Sequence, residues 1–475
     1  MRVDLVISGG TLVTARGERA GAVAIDGERI VAVGPDHGMP SARETIDATG
    51  LHVLPGVIDT HVHLRDPGRT EREDWLTGTR AAAAGGITTI LEMPIAIPPV
   101  HTAQILAARA AHVQPRSIVD FALYGGASGD NLDEIDAMAA VGAVAFKTFR
   151  TRPVPGREAE FVGICCPDAG QMLRVMERTA RTGLLHVVHC EEQQILDAFA
   201  ALVRAAGGAD GFAHARSRPE VAEAASVAQT IAMARATGAR LQIAHMSSQA
   251  AVDLVAEAKR AGLPVTAETC PHYLVLDEEV LFRWGPFAKC NPPLRPRQTQ
   301  ERLWDAVRTG LVDVLGTDHS PFLADEKAPF VENIWDAPPG FPGLEEFLPL
   351  MLTAVHHGRL SLPQLVRLTS ENAARLFGLE RKGRLAEGAD ADLVLVDLRA
   401  EWDHDHTRLQ TKARALARIY DGLRFRGRPV MTLVRGRVVM RHGEIVGEPG
   451  WGRWITPTAG PGEAVGDPLA RARKE

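Results

Sequence analysis

Two histidines one residue apart, His61 and His63, follow the apolar pair Val57-Ile58. Side chains alternate along an extended strand, so both imidazoles leave one face near its carboxyl end. Three further ligand-type residues end or follow apolar runs: His189, His245 and Asp318. Neutral imidazoles with a carboxylate suit zinc and neighbouring divalent metals, and zinc is the expected ion. Lys147 stands in the apolar segment Val144-Ala145-Phe146 with Phe149 beyond it. A bare ammonium is costly there. One resolution is an ion pair or a side chain that reaches solvent. The other is a neutral amine that captures carbon dioxide, becoming N6-carboxylysine, whose carbamate oxygens bridge two divalent ions. Such a pair with one carbamate, one aspartate and one bridging hydroxide keeps a net charge of about +1, enough to polarise a neutral amide while the shared water acts as nucleophile. Asp318 can take the water proton and return it to the departing nitrogen, or serve only as a ligand or helix cap.

These residues need a scaffold that gathers distant strand ends. Apolar runs alternate with longer helical patterns, the signature of parallel βα units. Eight strands are read at 57–63, 87–93, 118–124, 144–149, 184–189, 241–245, 265–269 and 312–317, with helices at 74–84, 102–112, 168–181, 219–236, 249–261 and 363–377. An open doubly wound sheet shares this local periodicity. The ligand-type residues all fall at carboxyl-terminal strand ends, where TIM barrels place their active sites, so the expected fold is a (β/α)8 barrel. Short apolar runs at 3–8, 11–14, 21–25 and 29–33, with the Asp26-Gly27 turn, read as hairpins, and the texture returns at 391–397 and 430–439. The two chain ends are expected to form one small β-sandwich. The expected division is 1–53 and 381–455 for the sandwich, 54–380 for the barrel and 456–475 for a loose extension.

Net charge −6 with 24% charged and 45% hydrophobic residues supplies no basic field for nucleic acid and no disordered character. No apolar stretch reaches membrane-spanning length, and the cytoplasm is the default location. Cys165, Cys166, Cys190, Cys270 and Cys290 lack zinc-ribbon spacing and are expected to stay reduced. The segments 151–167 and 321–342, rich in Pro and Gly, are expected rim loops.

The ordered motifs Pro55-Gly56-Val57-Ile58-Asp59-Thr60-His61-Val62-His63, Phe146-Lys147, His189-Cys190-Glu191, His245-Met246-Ser247-Ser248, Glu268-Thr269-Cys270-Pro271-His272-Tyr273 and Thr317-Asp318-His319-Ser320 resemble the cyclic amidohydrolase family of allantoinases, hydantoinases or dihydropyrimidinases, and dihydroorotases. The resemblance runs through nearly the whole chain. It implies that His61, His63, carboxylated Lys147 and Asp318 surround one metal, and that Lys147, His189 and His245 hold the second. It also implies Asp318 as acid/base, a small cyclic amide substrate and a homotetramer.

Asp66-Pro67-Gly68-Arg69-Thr70-Glu71 and Lys289-Cys290-Asn291-Pro292-Pro293-Leu294-Arg295 look most like allantoinase segments. His63-Leu64-Arg65 is similar to dihydroorotases, in which this arginine meets a substrate carboxylate, but Ile95 stands where they carry asparagine. Segment 447–454 resembles the hydantoinase tail, yet 148–153 lacks the dihydropyrimidinase tyrosine. Arg65, His272 and Asn291 are the expected substrate contacts. Arg65 could equally form a salt bridge with Asp66 or Glu71, and His272 could instead support a ligand. A mononuclear deaminase would not need Lys147, and a noncatalytic scaffold would have lost ligands.

Overall fold

All eight expected runs form strands, in a computed structural model that describes residues 2–458. They are Val57–Val62, Ile87–Glu92, Asp120–Leu123, Phe146–Phe149, His186–His189, Leu241–Ile243, Val265–Thr269 and Val314–Leu315. Successive strands pair in parallel. The third and fourth are joined where Val144 N–H donates to Leu123 O at 2.9 Å. A parallel bridge between Val62 and His319, with His63 N–H donating to His319 O at 2.8 Å, closes the eighth onto the first. A TIM barrel results. Below the mouth, Ile58, Leu91, Ala122, Val187 and Val314 share one buried apolar cluster with Phe377. That filling makes the interior a packed core and confines chemistry to the rim.

The outer helices start where side-chain oxygens can satisfy free backbone donors. Asp74 caps Trp75–Ala84, Thr102 caps Ala103–Val113, Asp168 caps Ala169–Thr182 and Ser248 caps Gln249–Arg260. The helix expected at 363–377 is present, with a π segment at Arg367–Glu371 between the α-helical stretches Leu362–Val366 and Asn372–Leu376.

Both chain ends enter one β-rich domain. His52–Pro55 lies antiparallel to Leu393–Asp403, with Val53 opposite Leu395, so the barrel is inserted between two adjacent strands of a nine-stranded sheet. Ile7, Val23, Val53, Leu393 and Leu433 meet in its buried core. The runs expected at 3–8 and 11–14 are one strand, Val3–Thr14, whose register shifts between Ile7 and Gly10. Gly9, at φ +75°, permits the irregularity.

Where this domain meets the barrel, Lys382 Nζ lies 2.5 Å from Asp120, 2.7 Å from Asp392 and 3.0 Å from Asp390, all buried. Arg435 adds a second cation on Asp120 at 3.0 Å. No helix among the described residues is long and apolar enough to cross a membrane. From residue 459 onward, the extension expected at 456–475 lies outside the described residues.

Candidate metal centre

The strand ends bring the expected histidines into one arc. Ring centroids are 5.5 Å apart for His61 and His63, 5.2 Å for His61 and His245, and 4.7 Å for His189 and His245. Asp318 Oδ1 lies 3.4 Å from His61 Nε2 and 3.3 Å from His63 Nε2. These three residues offer donor atoms within 4.8 Å of one another. A second pair forms beside them, with His189 Nδ1 3.0 Å from His245 Nε2.

Surrounding carboxylates fix which nitrogen of two rings faces inward. His61 Nδ1 is 2.6 Å from Glu268 Oε1, which leaves Nε2 for the centre. His189 Nε2 is 2.8 Å from Glu191 Oε2, which leaves Nδ1. Arg218 also binds Glu191 and, despite burial, holds its carboxyl below the usual range. Such outer partners orient metal-binding imidazoles. Asp59 joins the first strand to the eighth by accepting from Thr317 N–H at 3.0 Å, Thr317 Oγ1 at 2.6 Å and His61 N–H at 3.1 Å. The sequence reading assigned no role to Glu268, Glu191 or Asp59. All three stood inside the quoted motifs, and that was their only signal.

Protonation favours donors over cations. Burial, and then Arg65, His61 and Lys147, push His63 well below its ordinary pKa, and burial does the same for His245. Burial raises the Asp318 carboxyl, opposed by His61 and Lys147. Lys147 is fully buried, its Nζ has no hydrogen-bond partner among the described residues, and burial lowers its pKa to about 8. It sits 4.9 Å from the Phe149 ring, which stacks on His189. His61 Nε2 is likewise buried without a hydrogen-bond partner. A buried, unsatisfied donor set costs folding free energy unless something occupies it, so these residues fit divalent cations. Arg65, His245 and Asp318 also hold φ of +60°, +35° and +49°, uncommon values for side chains with a Cβ.

A cavity of about 70 Å³ opens over this centre. Both expected rim loops contribute, through Arg152 and Arg157 on one side and Pro339 and Gly340 on the other. Asn291 lines the wall with its Oδ1 buried and unbonded. His272 does not line it; its ring packs on Tyr273 and Phe341. Arg65 lines it, but the partner expected in Asp66 or Glu71 is replaced. Arg65 Nη2 donates to Ser320 Oγ at 2.7 Å and Nη1 lies 3.6 Å from Glu160. Asp66 instead faces His112 and Arg116, and Glu71 faces Arg69. The cysteines are unpaired thiols, and burial raises Cys165, Cys190 and Cys290 to about 12.

Residues 52–439 match the model of the amidohydrolase family. The chain belongs to that family. This amidohydrolase is 41% identical over 463 residues to an allantoinase of Rubrobacter xylanophilus, covering 97% of this chain and 99% of the relative. It is 36% identical over 433 residues to a dihydroorotase of Methanothermobacter thermautotrophicus, covering 91% and 93%. Among solved structures, an L-hydantoinase (dihydropyrimidinase) from Arthrobacter aurescens superposes with a TM-score of 0.92 at 35% identity, covering 96% of this chain and all of that one. Fold and enzyme class therefore agree with the reading of the strand ends.

Proposed function

We propose that this amidohydrolase opens a cyclic amide at a ring C–N bond, with allantoin, giving allantoate, as its substrate. The observation that carries the reaction class is the meeting of four imidazoles and Asp318 beneath one cavity, with a buried Lys147, unbonded among the described residues, against the Phe149 ring that stacks on His189. The 41% identity to an allantoinase and the 66–71 and 289–295 motifs favour allantoin. Hydantoinase, dihydropyrimidinase or dihydroorotase activity is the second reading, supported by the other relatives and by Arg65.

In this reading His61, His63 and Asp318 would hold one divalent ion and His189 and His245 a second, with Lys147, as N6-carboxylysine, contributing to both. Bound there, divalent ions, zinc in this reading, would supply the charge that polarises a ring carbonyl and lowers the pKa of water. Asp318 stands against His61 and His63, where its carboxylate receives the proton that water loses on attacking the carbonyl carbon. It returns that proton to the ring nitrogen as the C–N bond breaks. Asn291 and Arg65 supply polar contacts from the wall. The protein acts as a homotetramer in the cytoplasm, with no nucleic-acid or membrane partner.

Metal-replete enzyme is tested against allantoin, dihydroorotate, dihydrouracil and substituted hydantoins, with the ring-opened products identified. Allantoin is expected to show the highest kcat/KM. Turnover of another ring without allantoin turnover would replace the substrate and leave the reaction class standing, whereas no turnover of any ring would remove both.

A further inference from the structure

Glu160 is a carboxylate that the reaction does not use. It ends the turn Glu158–Glu160 in the rim segment 151–167 and is 1% exposed. Arg157 grips it with both arms of its fork, Nε to Oε1 at 2.9 Å and Nη2 to Oε2 at 2.6 Å. Arg65 Nη1 lies 3.6 Å and Arg72 Nη1 3.5 Å from the same carboxylate. All three guanidinium groups sit 4.6–5.4 Å from the centroid of the Phe322 ring. Burial works against ionisation of Glu160, but Arg157, Arg65 and Arg72 bring its pKa to about 2, so it is charged at neutral pH.

The three arginines are not equivalent. Arg72 has its own carboxylate, Glu326, at 2.6 Å. Arg65 and Arg157 both line the catalytic cavity, beside His63 and Asp318, and among the described residues Glu160 is the one carboxylate that forms a salt bridge with either. Without that charge, two adjacent guanidinium groups would face the cavity, an arrangement suited to a carboxylate. With it, the Arg157 fork is occupied and one of the two positive charges that Arg65 and Arg157 carry is offset. The Nε of Arg65 remains buried without a hydrogen-bond partner among the described residues, a donor that a neutral carbonyl oxygen can satisfy.

We propose that Glu160 is a specificity residue: it sets the charge that Arg65 and Arg157 present to the cavity, so that an uncharged ring is taken in preference to one bearing a carboxylate. The inference rests on the cyclic-amide reading of this site.

Orotate and uracil, flat rings differing by one carboxylate and not substrates for ring opening, provide the probes. Their binding to metal-loaded, full-length enzyme is measured by calorimetry. Glu160→Gln is expected to raise the orotate-to-uracil affinity ratio about tenfold, and Arg157→Gln to lower it by about as much, as expected for one charge a few ångströms away in a partly screened site. Glu160→Asp keeps the charge and should keep the ratio near wild type. A role confined to loop packing would move both neutralising variants in the same direction or weaken both probes equally, and either result overturns the proposal. So does wild-type enzyme that binds neither ring. Should Glu160→Gln fold poorly, the sign of the Arg157→Gln effect decides. Failure of the turnover panel with the opposite-signed ratios intact would remove the hydrolytic reading alone.

Discussion

Among the described residues, two places gather three metal-ligand groups within 4.8 Å: His61, His63 and Asp318 at the barrel mouth, and Asp120, Asp390 and Asp392 where the barrel meets the sheet. The second is completed from within the chain. Lys382 touches all three carboxylates, Arg29 binds Asp390, and Arg435 binds Asp120. Burial would lower the Lys382 pKa, but the carboxylates hold it above its ordinary value. At the mouth Lys147 Nζ has no hydrogen-bond partner among the described residues, and burial moves its pKa the opposite way. Convergence of ligand residues therefore does not distinguish a metal centre from a structural ion cluster. What distinguishes them is whether the chain has already supplied the cation.

The largest test of this contrast replaces Lys147. Lys147→Ala should lose bound metal and bring hydrolysis to background, with partial rescue by a small carboxylic acid. Metal content is read beside circular dichroism, so that misfolding is separated from loss of the bridge; full metal occupancy with normal turnover would end that role. Asp318→Asn should lower kcat by roughly 10²–10⁴ with less change in KM, since an amide cannot carry the proton. Steady-state kinetics on metal-quantified enzyme measures it.

The mirror experiment removes the internal cation. Lys382→Met leaves buried carboxylates short of a partner and should cost about 3–5 kcal/mol in denaturant unfolding, while metal content stays unchanged. If that variant instead kept wild-type stability without gaining an ion, Lys382 would not be the cation that completes this cluster, and the distinction between the two clusters would collapse. The smallest effect is expected from Glu268→Gln. Weakening the hold on His61 should reduce metal affinity by about 10–100-fold, read by competition with a chelating dye.

The sequence carried the ligands because strand periodicity is local. His61 and His63 share a face by alternation alone, and Lys147 stood out by its apolar neighbours. The partners that set charge and tautomer are not local: Glu268 meets His61 from 207 positions away, and Glu160 meets Arg65 from a loop without periodicity. Short-range reasoning therefore offered Asp66 and Glu71 to Arg65. The same limit applies to helices. Phe347–His356 is buried along most of its length and has little polar face, while Arg297–Thr309 opens on a polar turn after Pro296; neither was read. The π turn at Arg367–Glu371 inserts a residue into a pattern that otherwise continues, which a 3.6-residue period cannot register.

The placing of the barrel between His52–Pro55 and Leu393–Asp403 has a consequence for biosynthesis. The first five strands leave the ribosome early, yet the strand that covers the edge of His52–Pro55 follows more than three hundred residues later. At about 5–20 residues per second, that edge waits for roughly 17–70 s. During this interval Val53 and Leu54, both buried in the finished protein, belong to an open sheet margin able to pair with another nascent chain. Translation rate and chaperone supply should thus govern the yield of this enzyme through its β domain, even though the chemistry resides in the barrel.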